Sequence, residues 1–176
     1  MITVLKFWRT AHSYSGLIRM TTCRKSLKSL DYVSFHKLLG TGKGETFTPS
    51  DADPYVWGVI AVLPNASHVS KFEQSKPVRS FDEVAFQKTT IEMSTINSIG
   101  HWSGVQPFGE SAGNIQKTVP IAAITRARLN WKYARRFWRE TPPVTTSLHN
   151  APGLISAIGI GEAPIGLQGT FSIWRN

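Results

Sequence analysis

Residues 2–8, ITVLKFW, form a run of β-branched and aromatic side chains that predicts an opening strand. The polar stretch beginning at Ser13 and Ser15 predicts a helix reaching about Leu30. Tyr32 to Leu39 predicts a second strand, ended by the glycine-rich segment Gly40 to Glu45. After a Pro-Asp-rich loop, Tyr55 to Leu63 is almost continuously apolar, as expected of a strand buried on both faces. Asn65 or Ser67 can cap a helix carrying Val69 and Phe72. Pro77 interrupts it before a second apolar face made by Phe81, Val84 and Ala85. Thr89 to Ile99 alternates as a fourth strand, and Gly100 to Thr118 shows little periodicity. Beyond it, Pro120 to Leu129 predicts a strand and Trp131 to Glu140 a helix with Ala134, Phe137 and Trp138 on one side. Ile155 to Ile160 and Gly169 to Trp174 predict the last two strands.

The order strand, helix, strand with glycine-rich end, strand therefore occurs twice. KLLGTGKGE is answered by SAIGIGEAP, and YVWGVIAVL by LQGTFSIW. The second copy stops before its last helix and strand. A β-α-β-β-α-β unit is the split βαβ, or ferredoxin-like, motif. The expected fold is thus α+β: an antiparallel barrel built from two tandem ferredoxin-like halves in one domain. Residues 1–99 form the first half, 100–118 a connecting loop and 119–176 a truncated second half.

Composition narrows the function. The chain has 176 residues, 41% hydrophobic and 18% charged, which suits a soluble globule rather than a disordered polymer. Lys and Arg number 20 against 11 Asp and Glu, so the net charge of +9 points to an anionic partner: nucleic acid, acidic lipid or an anionic cofactor. A single cysteine, Cys23, excludes an internal disulfide and a CxxC metal cluster. Lys6 and Arg9 break the apolar run a secretory signal needs, and no window has the length of a spanning segment. The expectation is a cytoplasmic protein, peripheral at most to the inner membrane, as monomer or homodimer.

GTGKGE is not a phosphate loop, because Lys43 is followed by Gly44 rather than Ser or Thr. It opens no helix either, so glycines that let two strands turn tightly explain it better. From Arg126 to Arg139, six basic residues are interleaved with Trp131, Tyr133 and Trp138. That mixture suits single-stranded nucleic acid, anionic lipid headgroups or cofactor carboxylates, but the helical spacing turns the aromatics toward the core and leaves a solvated basic face. The histidines are too dispersed for a protein-only metal site. His36, in a strand, and His101, beside Trp102 in the long loop, are the two best placed to act as ligands. No nucleophile elbow or carboxylate pair suggests a hydrolase.

At KLLGTGKGETFTP, HWSGVQPFG, AAITRARL, RRFWRETP and IGIGEAP followed by TFSIW, the sequence resembles the spheroidene monooxygenase family of carotenoid biosynthesis. The blocks run in family order from about residue 31 to the C-terminus. The resemblance implies a fold related to the dimeric α+β barrels and a heme-dependent oxygenase acting on an apolar polyene, supplied with electrons by an external donor. It places Lys37, Arg126 and Arg139 at the cofactor, with Phe47, Trp102, Phe137 and Trp138 as its wall. Lys37, Arg126 and Trp102 are the candidates for a part in the reaction. His101 is the expected axial ligand to iron, with His36 second, since a heme needs one imidazole on its proximal side. A noncatalytic heme or lipophile carrier is the alternative, and a basic nucleic-acid-binding module ranks last.

Overall fold

The computed structural model describes residues 1–109, 118–162 and 166–175. Seven strands, four α-helices and two 3-10 turns are distributed over two compact units. The first unit takes Met1–Leu38 and the described residues from Pro54 to 109. The second takes Leu39–Asp53 and the described residues from 118 onward.

In the first unit, β1 (Ile2–Thr10) lies between two antiparallel neighbours, β3 (Ala52–Leu63) and β4 (Ala85–Met93). The first part of β2 (Phe35–Gly42) lies on the far side of β3, giving the order β4-β1-β3-β2. That is the strand order of a ferredoxin-like half, and its helices arrive where the motif requires them. Helix α1 (Ser13–Lys28) buries Gly16, Met20, Cys23 and Leu27, one face at helical spacing. These pack on Val4 and Trp8 of β1 and Val59, Ala61 and Leu63 of β3. A Cβ on Gly16 would fall 1.9 Å from Trp57 Nε1, so the helix approaches β3 closely enough to exclude any side chain there. Val59 to Leu63 have no exposed surface, as the apolar run predicts.

Helices α2 (Ser67–Glu73) and α3 (Lys76–Asp82) complete this layer. The Asn65 carboxamide oxygen accepts from the Ser67 N–H at 3.1 Å, and Pro77 sits in the first turn of α3, where a missing N–H costs nothing. The Trp8 and Phe81 rings stack at 4.6 Å. Lys6, buried on the same face, donates to Glu73 and Asp82, while Trp8 Nε1 donates to Asp82 at 2.7 Å. A buried ammonium is tolerable because both carboxylates meet it.

Strand β4 begins at Ala85, earlier than the predicted Thr89, because α3 ends at Asp82 and the chain enters the sheet directly. It ends at Met93, opposite Thr3, where β1 runs out of partners. Gln87, Lys88 and Glu92 keep this outer strand polar.

The second unit contains β5 (Ile121–Arg128), a 3-10 turn (Trp131–Tyr133), α4 (Ala134–His149), β6 (Leu154–Gly161) and β7 (Leu167–Trp174). Strand β7 pairs antiparallel with both β5 and β6, and β6 pairs with the second half of β2. The two glycine-rich segments thus meet each other, Gly40 opposite Gly161 and Gly42 opposite Gly159. This corrects the expectation that Gly40 ends β2. A Cβ on Gly159 would stand 3.1 Å from the Gly42 carbonyl, so the pairing itself needs glycine, and the turn comes later, at Gly44 (φ 75°).

Helix α4 also differs from its predicted end at Glu140, continuing through Pro142 and Pro143. Proline removes the donors that would serve the preceding turn. The helix persists because tertiary contact overrides that loss. Buried Thr145 donates to the Glu45 carbonyl at 2.8 Å, and Thr146 Oγ1 donates to the Pro142 carbonyl at 2.9 Å. No helix among the described residues is long and apolar enough to cross a membrane.

Candidate functional site

The first unit holds four of the expected site residues and gathers three of them, Lys37, His101 and Trp102, at one turn. Ser103 and Gly104 have φ of 54° and 85°, two consecutive left-handed residues, and Trp102 and Val105 exchange backbone hydrogen bonds of 2.7 and 3.3 Å across them. Positive φ at both central positions is the two-residue type I′ hairpin turn, which explains why glycine closes the WSG block. The turn carries the Trp102 indole into a buried position, 3% exposed, edge-on to Phe35 at 5.4 Å and to Phe108 at 6.0 Å. Thr95 Oγ1 donates to the Phe108 carbonyl at 2.8 Å.

Strand alternation sets Lys37 on the same face of β2 as Phe35. Its Nζ donates to Ser103 Oγ at 2.7 Å and stands 5.7 Å from the Phe35 ring. His36 takes the opposite face with Leu38, which belongs to the core under α1. Lys37 and His36, adjacent in sequence, therefore cannot serve one ligand on one face. His101 precedes the buried Trp102 and is exposed, beside the turn that Lys37 engages.

Burial, and then the charge of Lys37, lower the His36 pKa below its ordinary 6.5. The folded state thus favours neutral imidazole. The stability this contributes is fully present above pH 6.5 and is lost as the pH falls through the folded-state pKa, because the unfolded chain takes up the proton first. Unfolding free energy measured against pH should decline in this range for the wild type, with the decline reduced in His36→Gln. An equal decline in both would assign it to other groups.

The other expected residues lie in the second unit, and three of them, Phe47, Phe137 and Trp138, meet at the loop from Lys43 to Asp51. The buried Asp51 carboxylate accepts from the backbone N–H groups of Glu45, Thr46 and Phe47 at 3.0, 3.4 and 3.3 Å. The loop that resembles a phosphate cradle is thus closed around an anion of its own. Phe47 is left-handed, φ 56°, and its carbonyl accepts from Trp138 Nε1 at 3.0 Å and Gln168 Nε2 at 2.7 Å. The Phe47 and Phe137 rings meet edge to face at 6.4 Å. Phe47, Phe137 and Trp138 form one assembly that holds this loop. Arg126 pairs with Glu162 at 2.5 Å, and Arg139, 75% exposed in its side chain, pairs with its neighbour Glu140 at 3.2 Å.

Sequence reasoning missed Phe35, Phe108, Ser103, Asp51, Gln168 and Glu162. Of these, Ser103, Phe108 and Glu162 carried a usable signal, lying inside the quoted blocks. Glu110 of HWSGVQPFGE and Ala163 and Pro164 of IGIGEAP lie outside the described residues. So does most of the end of the predicted loop, residues 110–117.

The described residues hold no group of three or more His, Cys, Asp or Glu that could bind a bare metal ion. The donor set at the WSG turn is of a different kind: one exposed imidazole, one ammonium held by a hydroxyl, and a wall of three aromatic rings. The three rings pack on one another, with Trp102 buried between Phe35 and Phe108.

The described residues form an α+β protein of seven strands and four α-helices, with a lysine beside three packed aromatic rings at the WSG turn. No protein-family profile matches the chain. The chain is 31% identical over 175 residues to spheroidene monooxygenase of Rhodobacter capsulatus, covering 98% of itself and 72% of that protein. It is likewise 31% identical over 157 residues to the Cereibacter sphaeroides protein of that name, covering 89% of itself and 48% of it. For that of Rubrivivax gelatinosus the identity is 31% over 143 residues, with 80% and 54% covered. The chain belongs to the spheroidene monooxygenase family. It spans from about half to about three quarters of the length of these relatives. A crystal structure of an anthrone oxidase-like protein aligns at 11% identity with a TM-score of 0.43, covering 99% of this chain and 73% of that one.

Proposed function

We propose that the chain is a heme-dependent monooxygenase that places one oxygen atom of dioxygen on a carotenoid-like polyene. The other oxygen leaves as water with two protons and two electrons from an external donor. The observation that carries this reading is the identity with the Rhodobacter capsulatus enzyme over nearly the whole chain. An unactivated carbon is beyond side-chain chemistry, so heme, when bound, supplies the activation of dioxygen.

The chain's own residues would then act around it. His101 would offer an imidazole nitrogen to hold the group. Trp102, Phe35 and Phe108 keep water from one side. Lys37 Nζ, fixed by Ser103, presents a positive charge and a proton donor without reorganising. The barrel-type arrangement expected from the resemblance belongs to this reading.

The test is the visible spectrum after reconstitution with hemin and reduction with dithionite, followed by turnover of spheroidene with reductant and dioxygen. A Soret band lost in His101→Ala and kept in His36→Ala is expected. Lys37→Met should keep the band and lower kcat/KM about tenfold, equivalent to about 1.4 kcal/mol of transition-state stabilisation. No Soret band and no oxygenated product would overturn the proposal.

A further inference from the structure

We propose that the exposed aromatic and cationic surface leading into α4 is a docking face for an anionic lipid bilayer. Between Arg128 and Arg139 the sequence holds Arg128, Lys132, Arg135, Arg136 and Arg139 with no acidic residue among them. Helical spacing predicts that the aromatics of this segment turn inward, and Trp138 does, donating to the Phe47 carbonyl. Trp131 and Tyr133 do not: they are 59% and 53% exposed. The segment is a 3-10 turn, so its side chains do not follow the helix period.

Nor is their display accidental looseness. The Asn130 side chain accepts from the Lys132 N–H at 3.1 Å, the Tyr133 N–H donates to the Asn130 carbonyl at 2.8 Å, and the Leu129 N–H donates to the Gly166 carbonyl at 2.8 Å. A tied backbone thus holds an indole and a phenol in water, flanked by the exposed cations Lys132, Arg135, Arg136 and Arg139. Indole and phenol rings partition to the headgroup level of a bilayer, apolar body inward and polar tip outward, and Lys and Arg beside them meet anionic headgroups. A surface of this kind lies on a membrane rather than crossing it.

Single-stranded nucleic acid would suit the same residue types. The choice of lipid rests on the proposed function, because a polyene dissolves in a bilayer and not in water. A protein that takes its substrate from the membrane needs a face that rests there.

The test uses the full chain, without carotenoid or reductant, sedimented with vesicles of phosphatidylcholine and phosphatidylglycerol in equal parts. Pure phosphatidylcholine vesicles and a single-stranded oligothymidylate serve as comparisons. Anionic vesicles should bind the chain, and brominated lipids should quench its tryptophan fluorescence. Trp131→Ser combined with Tyr133→Ser should weaken the partition about tenfold with melting unchanged, and Arg135→Glu with Arg136→Glu should do the same and flatten its salt dependence. Trp131→Phe should keep binding and lose much of the quenching. Absence of vesicle binding, binding indifferent to these variants, or tighter binding to the oligothymidylate lost in the same variants would overturn the proposal. Binding is read without turnover, so its failure leaves the oxygenase reading to its own spectrum, and failure of that spectrum leaves the partition measurement intact.

Discussion

Trp102→Ala is expected to lower folding stability by about 3–5 kcal/mol, the usual cost of deleting a large aromatic from a packed site. The indole is 3% exposed and stands edge-on to both Phe35 and Phe108, so its removal leaves a void faced by two rings that meet each other only at 6.5 Å. Those rings cannot close it without moving β2 or the segment that follows β4. The loss reaches beyond stability. Ser103, the partner of Lys37 Nζ, is the next residue, and it occupies the left-handed conformation that the type I′ turn requires and that a residue other than glycine rarely adopts. Turnover should therefore fall by more than the folded fraction accounts for. Trp102→Phe keeps a ring in place and should cost about 1–2 kcal/mol. Urea unfolding of the two variants, with activity per folded molecule, checks this. A loss below about 1 kcal/mol for Trp102→Ala would mean that other contacts hold the turn.

Asp51→Ala should destabilise the second unit by about 2 kcal/mol, because it strands three partly buried donors at once. The carboxylate gathers three successive N–H groups, of Glu45, Thr46 and Phe47, and the left-handed Phe47 depends on them as well as on Trp138 and Gln168. Without the carboxylate the chain from Lys43 to Ser50 loses its centre. Protease cleavage should then appear in that segment before global unfolding. Asp51→Asn retains one oxygen acceptor but no charge, so an intermediate loss is expected. Melting of Asp51→Asn identical to that of the wild type would show that the charge contributes little.

Four strands were legible because β1, β3, β6 and β7 are strands by composition as well as by contact. Val59 to Leu63 can be read as buried on both faces from the letters alone, since no polar side chain interrupts them. The glycine end of β2 was not legible. Gly40 and Gly42 carry no strand propensity, and only their partners Gly161 and Gly159, far along the chain, make them a strand. Helix α4 defeats the proline rule for a similar reason: the hydroxyl of Thr145 finds the Glu45 carbonyl, 100 residues away in sequence.

At the site, the WSG block drew notice as a motif, yet its function as a turn that brings Ser103 to Lys37 is a matter of backbone sign, which no side-chain pattern encodes. The sequence ranks His101 first and His36 second as ligands. Strand alternation separates them, one turned toward the core under α1 and the other beside the aromatic box. Trp131 and Tyr133 show the opposite failure, where a helical period was assumed over a segment that is a 3-10 turn.

The segment Leu39–Asp53 leaves the first unit and joins strands made much later, which sets a timetable for the growing chain. As the protein emerges from the ribosome, β1, α1, β3 and β4 can find one another while the glycine end of β2 still waits for residues 159–161. An unpaired edge of Val and Ile would recruit neighbours during that interval. Gly-Thr-Gly offers no apolar stripe to copy, so the same glycines that permit the final pairing make the wait harmless.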